Sequence, residues 1–135
     1  GLHDMARPEL RFVNRQRGAG TRVWLDAQLR VLQIAPEHIK GYENNTASTH
    51  SEVARSIAEE QFELGLGIEA TALAYGLDFI FLTKERYDLV VPGEIWEWPP
   101  VQMIVTWLRT AEAQTAINNL GGYDTQSTGH IEWVN

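Results

Sequence analysis

Apolar positions along the first ninety residues fall in short runs, separated by polar turns that carry glycine. Leu10–Arg15 (LRFVNR) reads as a short strand, and residues 16–20 as a glycine-bearing turn. Thr21 is the expected N-cap of a helix running to Ile34, because Leu25, Leu29 and Leu32 then share one face; Pro36 stops it. His38–Glu43 (HIKGYE) is a second predicted strand. Thr49-His50-Ser51-Glu52 has capping-box spacing, in which Thr49 caps the amide of Glu52 and the glutamate reaches back. The helix after it turns Val53, Ile57 and Ala58 inward. Phe62–Ile68 (FELGLGI) predicts a third strand, and EATALAYG a short helix ended by Gly76. LDFIFLT and YDLVVP, separated by the charged triplet Lys84-Glu85-Arg86, read as two more strands. Beyond them Val101, Ile104, Val105 and Leu108 have helical spacing, and a second helix is expected from Ala111 to Leu120, closed by Gly121-Gly122. The tail from Tyr123 is short and rich in turn residues. The alternation predicts an α/β fold: a mostly parallel sheet of about five strands flanked by helices, within a single domain over 1–135.

Composition narrows the function classes. The 135 residues are 44% hydrophobic, enough for a core, and carry a net charge of −7. That balance argues against direct nucleic-acid binding, which needs a basic face to neutralise phosphates. Cysteine is absent, so disulfides, thiolate zinc sites and thiol catalysis are excluded. No run of apolar residues is long enough for a membrane helix, so no membrane role is expected. The opening GLHDMARPEL, with Met5 its first methionine, leads us to expect a piece of a longer protein.

The basic residues are concentrated. Six of the eleven lie between Arg7 and Arg30, with Glu9 and Asp26 the acids there. Three of them, Arg15, Arg17 and Arg22, surround Gly18-Ala19-Gly20-Thr21, where the first strand gives way to the first helix. A strand, a glycine turn and a helix make an anion site from backbone alone, because free amides and the helix dipole both favour negative charge. The glycines allow close approach, Thr21 adds a hydroxyl, and the arginines add charge-assisted hydrogen bonds. The turn is neither a phosphate loop with a following lysine nor the three-glycine dinucleotide fingerprint. Ligands of open α/β sheets sit beyond the carboxyl ends of the strands. Thr49 and His50 at the second helix start, and Gly65 and Gly67 after the third strand, belong to that same edge. The structural alternatives are plain: solvated arginines, a helix cap at Thr49, an exposed His50 and glycines that only ease packing.

RFVNRQRGAGTR, GYE…STHSEVA, GLGIEATALAYGLDFIFLTKERYDLVVP and LGGYDTQSTG resemble the periplasmic-binding-protein-like domain of the molybdopterin-biosynthesis and molybdate-related family. The resemblance covers nearly the whole chain. It implies one lobe of a type II binding-protein fold over 9–92, with C-terminal helices in 93–135 that would pack on a first lobe absent from this sequence. It implies a cytoplasmic bacterial or archaeal protein, with a helix-turn-helix or molybdopterin-biosynthesis domain as partner in the full-length chain. Related oxyanion-binding proteins carry Gly-Ser-Gly-Thr where this chain has Gly18-Ala19-Gly20-Thr21, so Ala19 removes one hydroxyl donor. The ligand-binding residues implied are Arg15, Arg17, Gly18, Ala19, Gly20, Thr21, Arg22, Thr49, His50, Gly67 and Tyr87, with Arg15 and Thr21 foremost.

The expected function is binding or sensing of a small anion: molybdate, tungstate or a compound related to the molybdenum cofactor. No cofactor is expected, and no catalysis. The alternative is an enzyme or accessory subunit of molybdopterin biosynthesis, for which His50 with Glu52 or Glu43 is the available acid–base pair; His50 and Glu52, two apart on a helix, do not face each other. A third reading is a protein-interaction module, since Trp96, Trp98 and Trp107 crowd one stretch. On that basis a homo-oligomer is expected.

Overall fold

A computed structural model describes residues 1–134, which divide into two compact units, Gly1–Phe79 and one beginning at Ile80. The first unit holds a three-stranded parallel sheet in the order β2-β1-β3: β1 is Phe12–Arg15, β2 Thr46–Ala47 and β3 Leu64–Gly65. Asn14 pairs with Thr46 on one side of β1, and Phe12 with Leu64 on the other. Three helices follow the three strands: α1 (Gly20–Val31), α2 (His50–Ala58) and α3 (Glu69–Ala74).

Successive side chains of a strand point to opposite faces, and β1 uses both. Phe12 joins Met5, Leu25, Leu29, Ile39 and Tyr42 in one core cluster, on the α1 side. Val13 joins Ala47 and Val53 in another, on the α2 side, with Ile57 and Phe62 against it. All four residues of β1 are buried, Asn14 and Arg15 included. Asn14 is satisfied: its amide donates to the carbonyl of Tyr42, and its oxygen accepts from the Arg15 amide. α2 lies close on this sheet because β3 ends in glycine. A Cβ at Gly65 would stand 2.5 Å from Cγ1 of Val53 and 2.9 Å from Cγ1 of Val13.

The helices follow the expected pattern, with shifts at their ends. α1 starts at Gly20 with Ala19 as N-cap, so Thr21 sits inside the first turn rather than capping it. It ends at Val31, and Leu32 is only half-buried. The amides of Gln33 and Ile34 return to the carbonyls of Arg30 and Leu29, a Schellman closure with Gln33 at φ 56° in the left-handed position. α2 opens on the capping box as expected: Thr49 accepts from the Glu52 amide, and the Glu52 carboxylate accepts from the Thr49 and Ser48 amides. Val53 and Ala54 are the buried residues of α2, whereas Ala58 is exposed. α3 ends at Ala74, and Gly76, φ +67°, follows its C-cap Tyr75 as the stop that the sequence predicts.

The sheet has three strands, not about five. The predicted strand at 38–43 is instead a series of tight turns, and β2 comes after it. The buried apolar pair in that stretch, Ile39 and Tyr42, is three residues apart, which is turn spacing rather than strand alternation. Gly41, φ +96°, bends the chain where a Cβ would lie 2.5 Å from the Phe12 carbonyl. The third strand shortens to Leu64–Gly65. LDFIFLT and YDLVVP form no strand: residues 77–92 have no regular structure. A strand exists through the ladder it joins, and these runs have none; Ile80, Phe81 and Val90 are 76%, 62% and 84% exposed.

The second unit is helical among its described residues. α4 (Pro99–Leu108) begins on two prolines, which suit a first helical turn, and α5 (Ala111–Asn118) is capped by Thr110, whose hydroxyl accepts from the Ala113 amide. The expected end of α5 at Leu120 comes two residues early, before Gly121 and Gly122, both at positive φ. Within this unit Trp96 and Trp133 meet edge to face at 4.9 Å, and Lys84 pairs with Asp124.

Candidate anion site at the carboxyl edge of the sheet

Because the strands are parallel, the turns 16–19, 48–49 and 66–68 leave the sheet at one edge. The first turn closes with the Ala19 amide on the carbonyl of Gln16, and Gly18 takes φ +87°. Ala19 then stands at the N-cap of α1, where serine or aspartate would offer an oxygen. No side chain caps this helix, so its first-turn amides keep their donor capacity. The start of α2 differs. There the Glu52 carboxylate already occupies the amides of Ser48 and Thr49.

The arginines around the glycine turn do unlike jobs. Arg17 is 81% exposed and reaches Glu43 at 2.9 Å. Arg22 is 3% exposed and engaged through both Nη atoms: Nη2 donates to Glu43 at 2.9 Å, and Nη1 to the carbonyls of Arg15 and Tyr42. Its Nε lies 3.5 Å from the Asp26 carboxylate, an ion pair without hydrogen-bond geometry. Its guanidinium also stacks 4.6 Å from the centre of the Tyr42 ring. The two cations hold the Glu43 carboxyl below its ordinary range, chiefly through the hydrogen bonds of Arg17 and then Arg22. Burial, then the hydrogen bond it donates to Asp26, pushes the Tyr42 hydroxyl up to about 12. Arg17, Gly18, Arg22, Tyr42 and Glu43 line an open groove of about 500 Å³ beside α1. Arg17 and Arg22 are matched there by Glu43, and Arg30, also in the lining, donates to the Asp26 carbonyl.

Arg15 is the exception. It lies on the α2 face of β1, 9% exposed, and Nη2 donates to the Ser48 carbonyl at 2.9 Å. Nε and Nη1 are shut off from solvent and have no hydrogen-bond partner among the described residues. Nδ1 of His50, at the first position of α2, is likewise covered and unpartnered. Burial first, and then the charge of Arg15, lower the His50 pKa below its ordinary value, which favours neutral imidazole. Gly67 leaves room beside this nitrogen: a Cβ there would stand 4.0 Å from His50 Nδ1 and 3.8 Å from the Thr71 hydroxyl. Leaving a buried polar group unpaired costs about 1–3 kcal/mol, more for a charged one. Two nitrogens of a buried guanidinium and a ring nitrogen, at the carboxyl edge that open α/β sheets use for ligands, have unmet hydrogen-bonding capacity.

The first unit thus brings Arg15, His50 and Gly67 together, beside the turn Gly18-Ala19-Gly20-Thr21. Thr49 serves as the α2 cap. Tyr87 belongs to the second unit, outside the set that the first unit assembles. Thr71 and the Ser48 carbonyl complete the cluster and were not singled out from sequence. Strand parity places Arg15 with Val13. Arg22 shares a helical stripe with the buried Leu25 and Leu29, three and seven positions on, the signal that it is a buried side chain. Among the described residues no cluster of three or more metal-ligating side chains occurs, and no helix is long and apolar enough to cross a membrane.

Comparison with known proteins bears on this arrangement. A family model described as the PBP superfamily domain matches residues 1–109. The uncharacterized protein YvgK of Bacillus subtilis is 30% identical over 131 residues, 97% of this chain and 42% of that protein. An "uncharacterized protein in ferredoxin 2Fe-2S gene 5'region" of Clostridium pasteurianum is 34% identical over 110 residues, 81% of this chain and 96% of that protein. The chain therefore spans under half the length of the first relative and nearly all of the second. No solved structure matches it significantly.

Proposed function

This chain belongs to the PBP superfamily, with a periplasmic-binding-protein-like α/β fold, and we propose from that premise that it binds a small anion at the carboxyl edge of its sheet. One observation carries the reading: Arg15 is buried with two nitrogens that no group among the described residues satisfies. An anion would supply the missing acceptors and gain a charge-assisted hydrogen bond from each. The uncapped start of α1 adds amide donors and the positive end of a helix dipole. Because the Arg15 nitrogens are covered, the ligand reaches them only as the turns above them shift. Oxyanions are the first candidates, with molybdate, tungstate or a compound related to the molybdenum cofactor suggested by the motifs quoted above.

The role is binding rather than turnover. Of the two acids weighed as partners for His50, Glu52 is spent on the amides of Ser48 and Thr49, and Glu43 on Arg17 and Arg22. Calorimetric titration of the chain with molybdate, tungstate, sulfate and inorganic phosphate, beside an Arg15→Met variant, tests the proposal. Binding of at least one anion that disappears in the variant is expected. Silence for every anion, or binding that survives loss of Arg15, would refute it.

A second reading, an association surface, is favoured by the second unit. Trp98, Met103 and Trp107 are 59%, 68% and 41% exposed, and α4 buries none of its residues. Exposed apolar patches of this kind mark contact sites. Light scattering over the micromolar range tests it, with a dimer or larger species expected.

A further inference from the structure

The anion site has acceptors as well as donors, and that narrows its ligand. The argument rests on the anion-binding reading above. Arg15 contributes the donors Nε and Nη1. Within reach of the Arg15 charge stands His50 Nδ1, buried and unpartnered among the described residues. A neutral imidazole carries its proton on one nitrogen and a lone pair on the other. A neighbouring guanidinium attracts the lone pair and repels an N–H, so the favoured tautomer has its proton on Nε2 and an acceptor at Nδ1. The hydroxyl of Thr71, past Gly67, is a second acceptor, because its own proton is donated to the Ile68 carbonyl at 2.8 Å.

The charged groups around His50 support this tautomer. From β1 it faces Arg15, a cation that opposes imidazolium. On its own helix Glu52 is turned back to the Ser48 and Thr49 amides, and so does not hold a proton on the ring. From α3 the neighbour is the neutral Thr71.

We propose that the site selects an anion that still carries a proton, an O–H or N–H beside its charged oxygen, over a fully deprotonated oxyanion. Near neutral pH monohydrogen phosphate is such a ligand, and an organic anion with a neighbouring N–H is another. Sulfate, molybdate and tungstate have no proton to offer, and would press an oxygen lone pair against His50 Nδ1 and Thr71 Oγ1. Sites built around a specific hydrogen bond reject analogues that leave it unmade, often by orders of magnitude.

The test is selectivity at near-neutral pH and low salt, read by calorimetry on the full chain with inorganic phosphate, sulfate and molybdate. Phosphate should bind at least roughly tenfold more tightly than the other two. His50→Ala and Thr71→Val should each shrink that ratio toward one while Arg15 still holds the anion. Nitrogen chemical shifts of the His50 ring should show Nδ1 without a proton. Sulfate or molybdate binding as tightly as phosphate to the unaltered chain would overturn the inference and leave the anion-binding proposal standing, as would a protonated Nδ1. If none of the three anions binds, this inference fails, and the anion-binding proposal fails with it when tungstate is silent too.

Discussion

Arg22 and Arg15 flank one glycine turn, seven positions apart, and both are buried. Arg22 meets a carboxylate, two carbonyls and the face of a tyrosine ring. Arg15 meets one carbonyl and is otherwise unmatched. Burial alone therefore does not separate a structural cation from a binding cation. Satisfaction does. A guanidinium tied through both Nη atoms to a carboxylate and carbonyls, as Arg22 is, holds the fold together, and one with two idle donors stores a free-energy cost that a ligand can remove.

This contrast is open to attack, and the largest expected effect comes first. Arg22→Met should destabilise the fold by about 2–4 kcal/mol, since it removes the donor that reaches the Arg15 and Tyr42 carbonyls and breaks the pair with Glu43. Arg15→Met should change stability by no more than about 1 kcal/mol, or raise it, because an apolar side chain removes an unsatisfied buried group. Urea unfolding of both variants compares them directly, and equal losses would erase the distinction drawn here. Gly65→Ala sharpens it further. Its methyl would push α2 away from Val13, at a cost of about 1–3 kcal/mol, and should loosen the Arg15–His50 cluster without touching Arg22.

The smallest effect is a pH dependence. The His50 pKa is lowered in the folded state, so the unfolded chain takes up its proton first as pH falls. Stability is then fully present above the ordinary value of 6.5 and is lost as pH falls from there through the lower folded value. Urea midpoints across that window should decline, and should decline less in Arg15→Met, where the repelling cation is gone. An identical decline in both would mean that burial alone sets the shift.

Local chemistry made much of the first unit legible. The capping box at Thr49 and Glu52, the glycine turn and the stop at Gly76 all depend on residues near one another in sequence, and all are realised. The strands were the weak point for the same reason. β2 and β3 have two residues each and exist because β1 lies between them, which no local pattern encodes. The runs around Phe81 and Val90 have strand composition and no ladder to join. For the site, sequence located the turn but could not divide the labour of its arginines. That division depends on which face of β1 each one reaches and on distant partners such as Glu43 and Ser48.

The exposed apolar stretch from Leu77 to Pro92 has a consequence for handling the chain. Two β-prone runs outside any ladder are a template for intermolecular cross-β stacking. Lys84, Glu85 and Arg86 divide them, and Pro92 closes the second, in the position of gatekeepers. The dividing triplet works through its charge. Salt that screens charge shortens its reach, so concentrated samples should stay clear longest at low ionic strength.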